Sequence, residues 1–321
     1  MNKNIDYDKI EPAVNTVEAL SIKKMIENQI VNKAIDYIFS HIEKELSVDE
    51  ISQYIGYSKY YLTRIFKAET GESIYAFIKR LKVEQSAWRL KVEKSRSITE
   101  IGNEFGYSSS NYATLFRDHF EKTPAQFRKD IPDISKRHAF FYGKNNQLET
   151  YEECCKKITI EQLPDFYVLY ERHKGNYTNL KNHWCTFMDS NSEFVTDDTL
   201  FIERTINDPS ITNPDECIYD ICMTVSKEDS RLKFQNRAAA GITSKSGTLP
   251  QKNTMIIDGG KFAVYHYAGY PQMIYLAYHS FFCNWLTKSN NKIDNRGGFD
   301  LYRKIDSETL YMELDICIPI K

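Results

Sequence analysis

The chain lacks the signatures of the commonest chemistries. Its seven cysteines contain no C-x-x-C spacing and none falls in the first 150 residues, which argues against a zinc ribbon and a disulfide framework. Cys154 and Cys155 are adjacent, while Cys185, Cys217, Cys222, Cys283 and Cys317 are scattered in apolar surroundings. Reduced and mostly buried thiols are expected. There is no Walker loop, no glycine-rich dinucleotide fingerprint and no nucleophile elbow. No run approaches the ~20 uncharged apolar residues of a membrane helix. The opening segment, Met1 to Glu18, is polar and acidic without a signal peptide's apolar core, so a cytoplasmic location is expected. A strong basic excess is missing too: the formal net charge is −2, about +2 over residues 1–137 and about −4 beyond. For nucleic acid, local clustering matters more than that sum.

A repeat is present. Ile51, Gly56, Tyr57, Ser58, Phe66, Phe77 and Lys79 recur fifty positions on as Ile101, Gly106, Tyr107, Ser108, Phe116, Phe127 and Lys129, with Ser47 recurring as Ser97. One supersecondary unit is therefore used twice. Ser47 with Glu50 forms a capping-box pattern ahead of a short helix carrying Ile51, Tyr54 and Ile55 inward. Gly56 makes the turn, Ser58 caps the next helix, and Leu62, Ile65 and Phe66 face inward. That leaves Lys59, Tyr60, Thr63, Arg64 and Lys67 outward.

In the second copy Ser97 and Glu100 repeat the box, and Ser109, Ser110, Asn111, Thr114 and Arg117 point outward. Helix, glycine turn, helix is the unit that lays a helix in the DNA major groove. Arg64 can fork onto a guanine edge or a phosphate, Thr63 can meet a thymine methyl, Asn111 can pair with adenine, and Lys59 and Lys67 suit phosphates. Lys79, Arg80, Lys82, Arg89 and Lys91 add local positive charge. Ile74 to Leu90, free of proline and glycine, reads as a helix of ~25 Å. Such a rod can set two reading helices about one DNA turn apart.

Residues 28–130 resemble the AraC-type transcription regulators. The residues that carry this are Ile51…Gly56-Tyr57-Ser58, Leu62-Thr63-Arg64-Ile65-Phe66-Lys67…Gly71, and the closing Phe120…Thr123-Pro124…Phe127-Arg128. The chain departs from the family at Thr114, where an arginine is usual, at Glu121, where a glycine is usual, and in a second turn one residue short. The resemblance thus implies a second copy that contributes shape and phosphate contacts.

Residues 131–156 read as a polar connection, after an N-terminal extension of residues 1–27. Beyond it, β-rich runs appear at Lys157–Leu163, Tyr167–His173, Leu200–Asn207, Cys217–Val225, Phe262–Tyr267, Gly298–Tyr302 and Leu310–Ile318, with Ser226–Asn253 as a polar surface loop. They form two strand–helix–strand–strand halves. The expected fold is α+β: an all-α double helix-turn-helix domain, then an antiparallel sheet backed by two helices with a pseudo-twofold cleft.

Residues 157–321 resemble the GyrI-like effector-binding domains, on Gly259-Gly260-Lys261-Phe262-Ala263-Val264-Tyr265, Trp285-Leu286, Phe299-Asp300-Leu301-Tyr302 and Leu314-Asp315-Ile316-Cys317-Ile318-Pro319. The resemblance implies that Asp300 is the ligand carboxylate. Tyr219, Tyr265, Tyr267, Trp285 and Tyr302 are the candidate aromatic walls for a flat or quaternary cation. His173 and His266, at equivalent strand ends, read as structural or rim histidines and not as catalytic bases. The partners implied are double-stranded promoter DNA and a small-molecule effector, with RNA polymerase as a further protein partner. No membrane, metal or cofactor is implied, and the reading is of a regulator and not an enzyme. The alternatives are a small-molecule hydrolase or a protein-binding module in the second half.

Overall fold

The computed structural model describes residues 16–137, 148–229, 231, 252–306 and 308–321. Most of the polar loop expected over residues 226–253 lies outside them, as do residues 1–15 of the N-terminal extension. The described residues form two compact units, one from residues 16–79 with the described part of Ser226–Thr254, and one from Arg80–Val225 with Met255–Lys321.

In the first unit, α1 spans Thr16–Ser40. Helices α2 (Val48–Ile55) and α3 (Lys59–Thr70) follow, and α4 (Ile74–Val92) begins here. Gly56, at φ 83°, ends α2 in the left-handed region that a Cβ disfavours. Ser58 Oγ accepts from the Tyr61 amide and starts α3. Leu62, Ile65 and Phe66 are buried, and Phe66 meets Phe77 edge-on at 5.3 Å. Tyr54 corrects the sequence expectation: it is exposed, its ring lying on Tyr37 at 4.2 Å. Tyr37 also breaks the first capping box. Glu50 accepts from the Tyr37 hydroxyl at 2.7 Å, while its amide still donates to Ser47.

In the second unit, α5 (Ile98–Glu104), α6 (Ser109–Phe120) and α7 (Pro124–Arg137) form the other copy, with the Ser97–Glu100 box complete. Tyr112 is buried where the first copy has Leu62, and its hydroxyl donates to Ser86 Oγ at 3.0 Å. Room for it comes from Gly102, where a Cβ would sit 2.7 Å from Tyr112 Cδ1; the first copy has Ser52 there. A bulky ring and a missing side chain exchange volume between repeats.

After α8 (Tyr151–Cys155) the chain builds one eight-stranded sheet in the order β1-β6-β8-β7-β3-β4-β2-β5. The strands are β1 (Ile158–Leu163), β2 (Phe166–Lys174), β3 (Phe201–Thr205), β4 (Ile218–Thr224), β5 (Asn253–Ile257), β6 (Gly260–Gly269), β7 (Phe299–Ile305) and β8 (Met312–Pro319). Strand β5 has no counterpart in the sequence expectation. Helix α9 (Leu180–Asn191) follows β2, and α10 (Pro271–Ser280) follows β6, running on as a π-helical stretch, Phe281–Leu286. The two strand–helix–strand–strand halves meet where β3 pairs β7.

Antiparallel partners share a face. One face carries Tyr265, Tyr267, Leu314 and Ile316, packed with Phe281 and Trp285 of the π-helical stretch. The other carries Phe166, Val168, Ile202, Phe262, Val264, Phe299 and Leu301 in a second core. Phe166 of β2 reaches Phe299 of β7 at 5.8 Å, which requires the sheet to curl.

Candidate DNA-reading helices and ligand site

On α3, Lys59, Tyr60, Arg64 and Lys67 are exposed and Thr63 is half-buried. Lys59 pairs with Asp49 at 2.7 Å, and Arg64 lies 3.6 Å from Glu27 and over the Tyr61 ring. Lys59 and Arg64 are themselves exposed, so neither pairing is a strong one. The Thr63 hydroxyl donates to the Lys59 carbonyl at 2.6 Å, leaving its methyl as the outward group. Tyr60 is 81 % exposed. An aromatic so bare on a reading helix has no internal packing role. On α6, Ser109, Ser110, Asn111, Thr114 and Arg117 are all exposed.

The charges on α4 take a different place from the one their sequence suggested. Lys82, Arg89 and Lys91 are buried. Lys82 Nζ donates to the Phe105 carbonyl at 3.1 Å, and Lys91 Nζ to Asp208 Oδ2 at 2.8 Å and Ser210 Oγ at 2.9 Å. These cations serve internal contacts and not DNA.

In the sheet, Glu203 of β3 stands directly opposite Asp300 of β7, and both are buried. Tyr302 donates to Glu203 Oε2 at 2.8 Å, and Tyr278 of α10 donates to Asp300 Oδ2. Burial pushes the Glu203 carboxyl up to about 7. Burial, then the charge of Glu203, hold Asp300 well above the usual carboxylate range. Trp184 of α9 meets Tyr302 edge-on at 5.6 Å and Phe201 at 6.2 Å.

Tyr177 stacks on Tyr219 at 4.5 Å, and His183 Nδ1 lies 2.7 Å from the Tyr219 hydroxyl. His173 stacks on His183 at 3.9 Å, its pKa lowered to about 4 by burial and then by His183. The arrangement is a buried acidic pair among tyrosine and tryptophan rings.

Of the expected ligand residues, Tyr219, Asp300 and Tyr302 belong to this group. Tyr265, Tyr267 and Trp285 lie on the same face of the sheet, in the cluster against which Tyr302 and Tyr278 pack. Tyr265 donates to Glu149 at 2.7 Å, Tyr267 to the Tyr270 carbonyl at 2.6 Å, and Trp285 packs on Phe281 at 5.5 Å. Their hydroxyls and faces are already engaged. Glu203, Tyr278, Trp184 and Tyr177 are the additions. The signal for Glu203 was its position in the first half, which matches that of Asp300 in the second.

A double helix-turn-helix with exposed reading helices, followed by a curled sheet that holds a buried acidic site, defines a one-chain DNA-binding regulator with a small-molecule domain. Family models match accordingly, a helix-turn-helix domain over residues 51–130 and a GyrI-like small molecule binding domain over residues 156–321. The chain belongs to the AraC-type transcription regulators fused to a GyrI-like domain. It is similar to the regulatory protein SoxS of Salmonella typhimurium, 31 % identical over 105 residues, or 32 % of this chain and 97 % of SoxS. The multiple antibiotic resistance protein MarA of the same organism is 32 % identical over 99 residues, 30 % of this chain and 77 % of MarA. An AraC-type regulator structure from Chromobacterium violaceum aligns at 29 % identity over 32 % of this chain and 90 % of its own, with a TM-score of 0.30. Among the described residues no helix is long and apolar enough to cross a membrane.

Proposed function

We propose that this regulator reads promoter DNA with the outward faces of α3 and α6, and that its effector is a cationic or amphipathic aromatic molecule held at Glu203 and Asp300. The observation that carries the second part is the pair of buried carboxylates opposed across β3 and β7 and surrounded by aromatic rings. A buried acidic pair is unfavourable unless protons or a cation compensate it, and ring faces attract a cation. Tyr302, Trp184, Tyr219 and Tyr177 supply the aromatic surroundings. On the DNA side, Arg64 is the base-reading residue, and Lys59, Lys67 and Arg117 contact phosphate. RNA polymerase is a further partner in this reading.

Calorimetry with tetraphenylphosphonium and neutral triphenylphosphine oxide tests the ligand assignment. Glu203→Gln and Asp300→Asn should each weaken binding of the cation and leave the neutral compound unaffected. Wild-type affinity for the cation in both variants removes the pair from the site.

Hydrolysis at the same pair is the second reading, favoured by the Glu203 carboxyl sitting near neutrality beside the Tyr302 hydroxyl, which suits general acid–base work. Turnover of an activated ester that Glu203→Gln abolishes would establish it.

A further inference from the structure

Helix α4 passes between the second helix-turn-helix copy and the sheet domain, and one carboxylate on it touches both. Glu84 is 3 % exposed. Its Oε2 accepts from Asn207 Nδ2 at 3.1 Å, Thr212 Oγ1 at 2.9 Å and Arg80 Nη1 at 3.2 Å. Its Oε1 lies 3.4 Å from Nε2 of His119, which is on the reading helix α6. A buried carboxylate so fully engaged is costly to disturb at any one partner.

The partners on the sheet side are not arbitrary. Asn207 and Thr212 lie in the loop that leaves β3, and Glu203 is a residue of β3. Three α4 side chains grip that loop: Glu84 at Asn207, Gln85 Nε2 at the Ile206 carbonyl (3.1 Å), and Lys91 at Asp208. Asn207 also accepts from the Ile218 amide at 3.0 Å, so the loop is fixed to β4 as well. From Asp300 a second path reaches the same helix. Tyr278 bonds Asp300, its ring lies 5.8 Å from Phe282, and Phe282 meets Trp88 of α4 edge-on at 6.2 Å. Each carboxylate of the acidic pair is therefore one short segment from α4.

We propose that Glu84 is a positioning residue: it fixes the second reading helix to the loop after β3, so that the arrangement of one sets the arrangement of the other. This deepens the ligand reading, resting on it only for what moves the loop. A strand shifted at Glu203 pulls Asn207, and Glu84 carries that pull to His119 on α6. Two sites coupled in this way bias one shared arrangement, and the bias is reciprocal.

The test is hydrogen–deuterium exchange in the full chain, read in peptides covering α6 (residues 109–120). Wild type, Thr212→Val, Glu84→Gln and the double variant are compared. Thr212 lies in the sheet domain, yet Thr212→Val should speed exchange in α6 several-fold while α9 keeps its wild-type rate. The double variant should exchange no faster than Glu84→Gln alone, because both changes break one connection. Unchanged α6 exchange in Thr212→Val, equal acceleration of α9, or effects that multiply in the double variant would overturn the proposal. Tetraphenylphosphonium is then added, with binding measured separately by calorimetry. If it binds, its effect on α6 should vanish in Glu84→Gln while its affinity persists; an effect that survives counts against Glu84. Absence of binding defeats the ligand reading alone, and the variant comparison still decides the coupling.

Discussion

Glu203 and Asp300 face each other on adjacent strands at the seam between the two halves of the sheet, each with a tyrosine hydroxyl donated to it. Two buried carboxylates this close titrate as a pair. For Glu203 the folded value is raised, to about 7 from an ordinary 4.5, by burial. The protonated form is the one the fold favours, so its contribution is fully present below about pH 4.5 and is lost as pH rises through about 7. Asp300 shifts in the same direction. The melting temperature of wild type should therefore fall between pH 5 and 8 relative to Glu203→Gln, which has no proton to lose there. Parallel profiles for the two proteins would contradict the buried pair.

Lys91 and Asp208 behave in the opposite sense. Burial alone would raise the Asp208 carboxyl, but the Lys91 charge and hydrogen bonds from Lys91 and Ser210 hold it below its ordinary value. Its contribution is present above about pH 4 and is lost only as pH falls through the lowered folded value. Lys91→Met leaves the mostly covered Asp208 without its cation and should cost about 3–5 kcal/mol in urea unfolding. Lys91→Met combined with Asp208→Leu should recover much of that. A loss under 1 kcal/mol for the single variant would mean that water already screens the pair.

Arg64→Ala should weaken binding to an operator selected from random DNA by about 1–3 kcal/mol and relax preference at one base position. Lys67→Ala should instead weaken all sequences alike and flatten the salt dependence. Competition titrations at two salt concentrations separate these outcomes. Uniform loss from Arg64→Ala would reassign it to the phosphates.

Gly102→Ala places a methyl against the Tyr112 ring and should destabilise by about 1–3 kcal/mol. Adding Tyr112→Leu, the pairing of small and branched residues that the first copy uses, should restore part of the loss in thermal melts. No recovery would show that the backbone and not the ring sets the limit.

Much of the fold is legible in the sequence because it depends on local rules. Gly56, Ser58, Ser97 and Glu100 mark turns and caps whose geometry involves only neighbours a few residues away. Seven of the eight strands show as β-rich runs for the same reason. What stays hidden depends on contacts distant in sequence. Tyr54 sits at a helical position that reads as inward, yet Tyr37 takes its ring at the surface. Strand β5 is short, and its pattern merges with the polar loop before it. Lys82, Arg89 and Lys91 read as local positive charge, because nothing in their spacing reveals that residues over a hundred positions later cover two of them. Glu203 looks like the polar side of an ordinary alternating strand. Only its equivalence to Asp300 across the two halves distinguishes it.

The covered charges on α4 bear on how this regulator can be taken apart. SoxS, about as long as the first part of this chain, is a regulator with no second domain of this size attached. Here, cutting after residue 130 would strip Glu84 of Asn207 and Thr212, Lys91 of Asp208, and Trp88 of Phe282. The excised head would expose naked ions and an indole that no solvent-adapted surface presents. Its two parts are thus less interchangeable than two separately matching family models suggest, and a swapped sensor would have to bring its own complement to that helix.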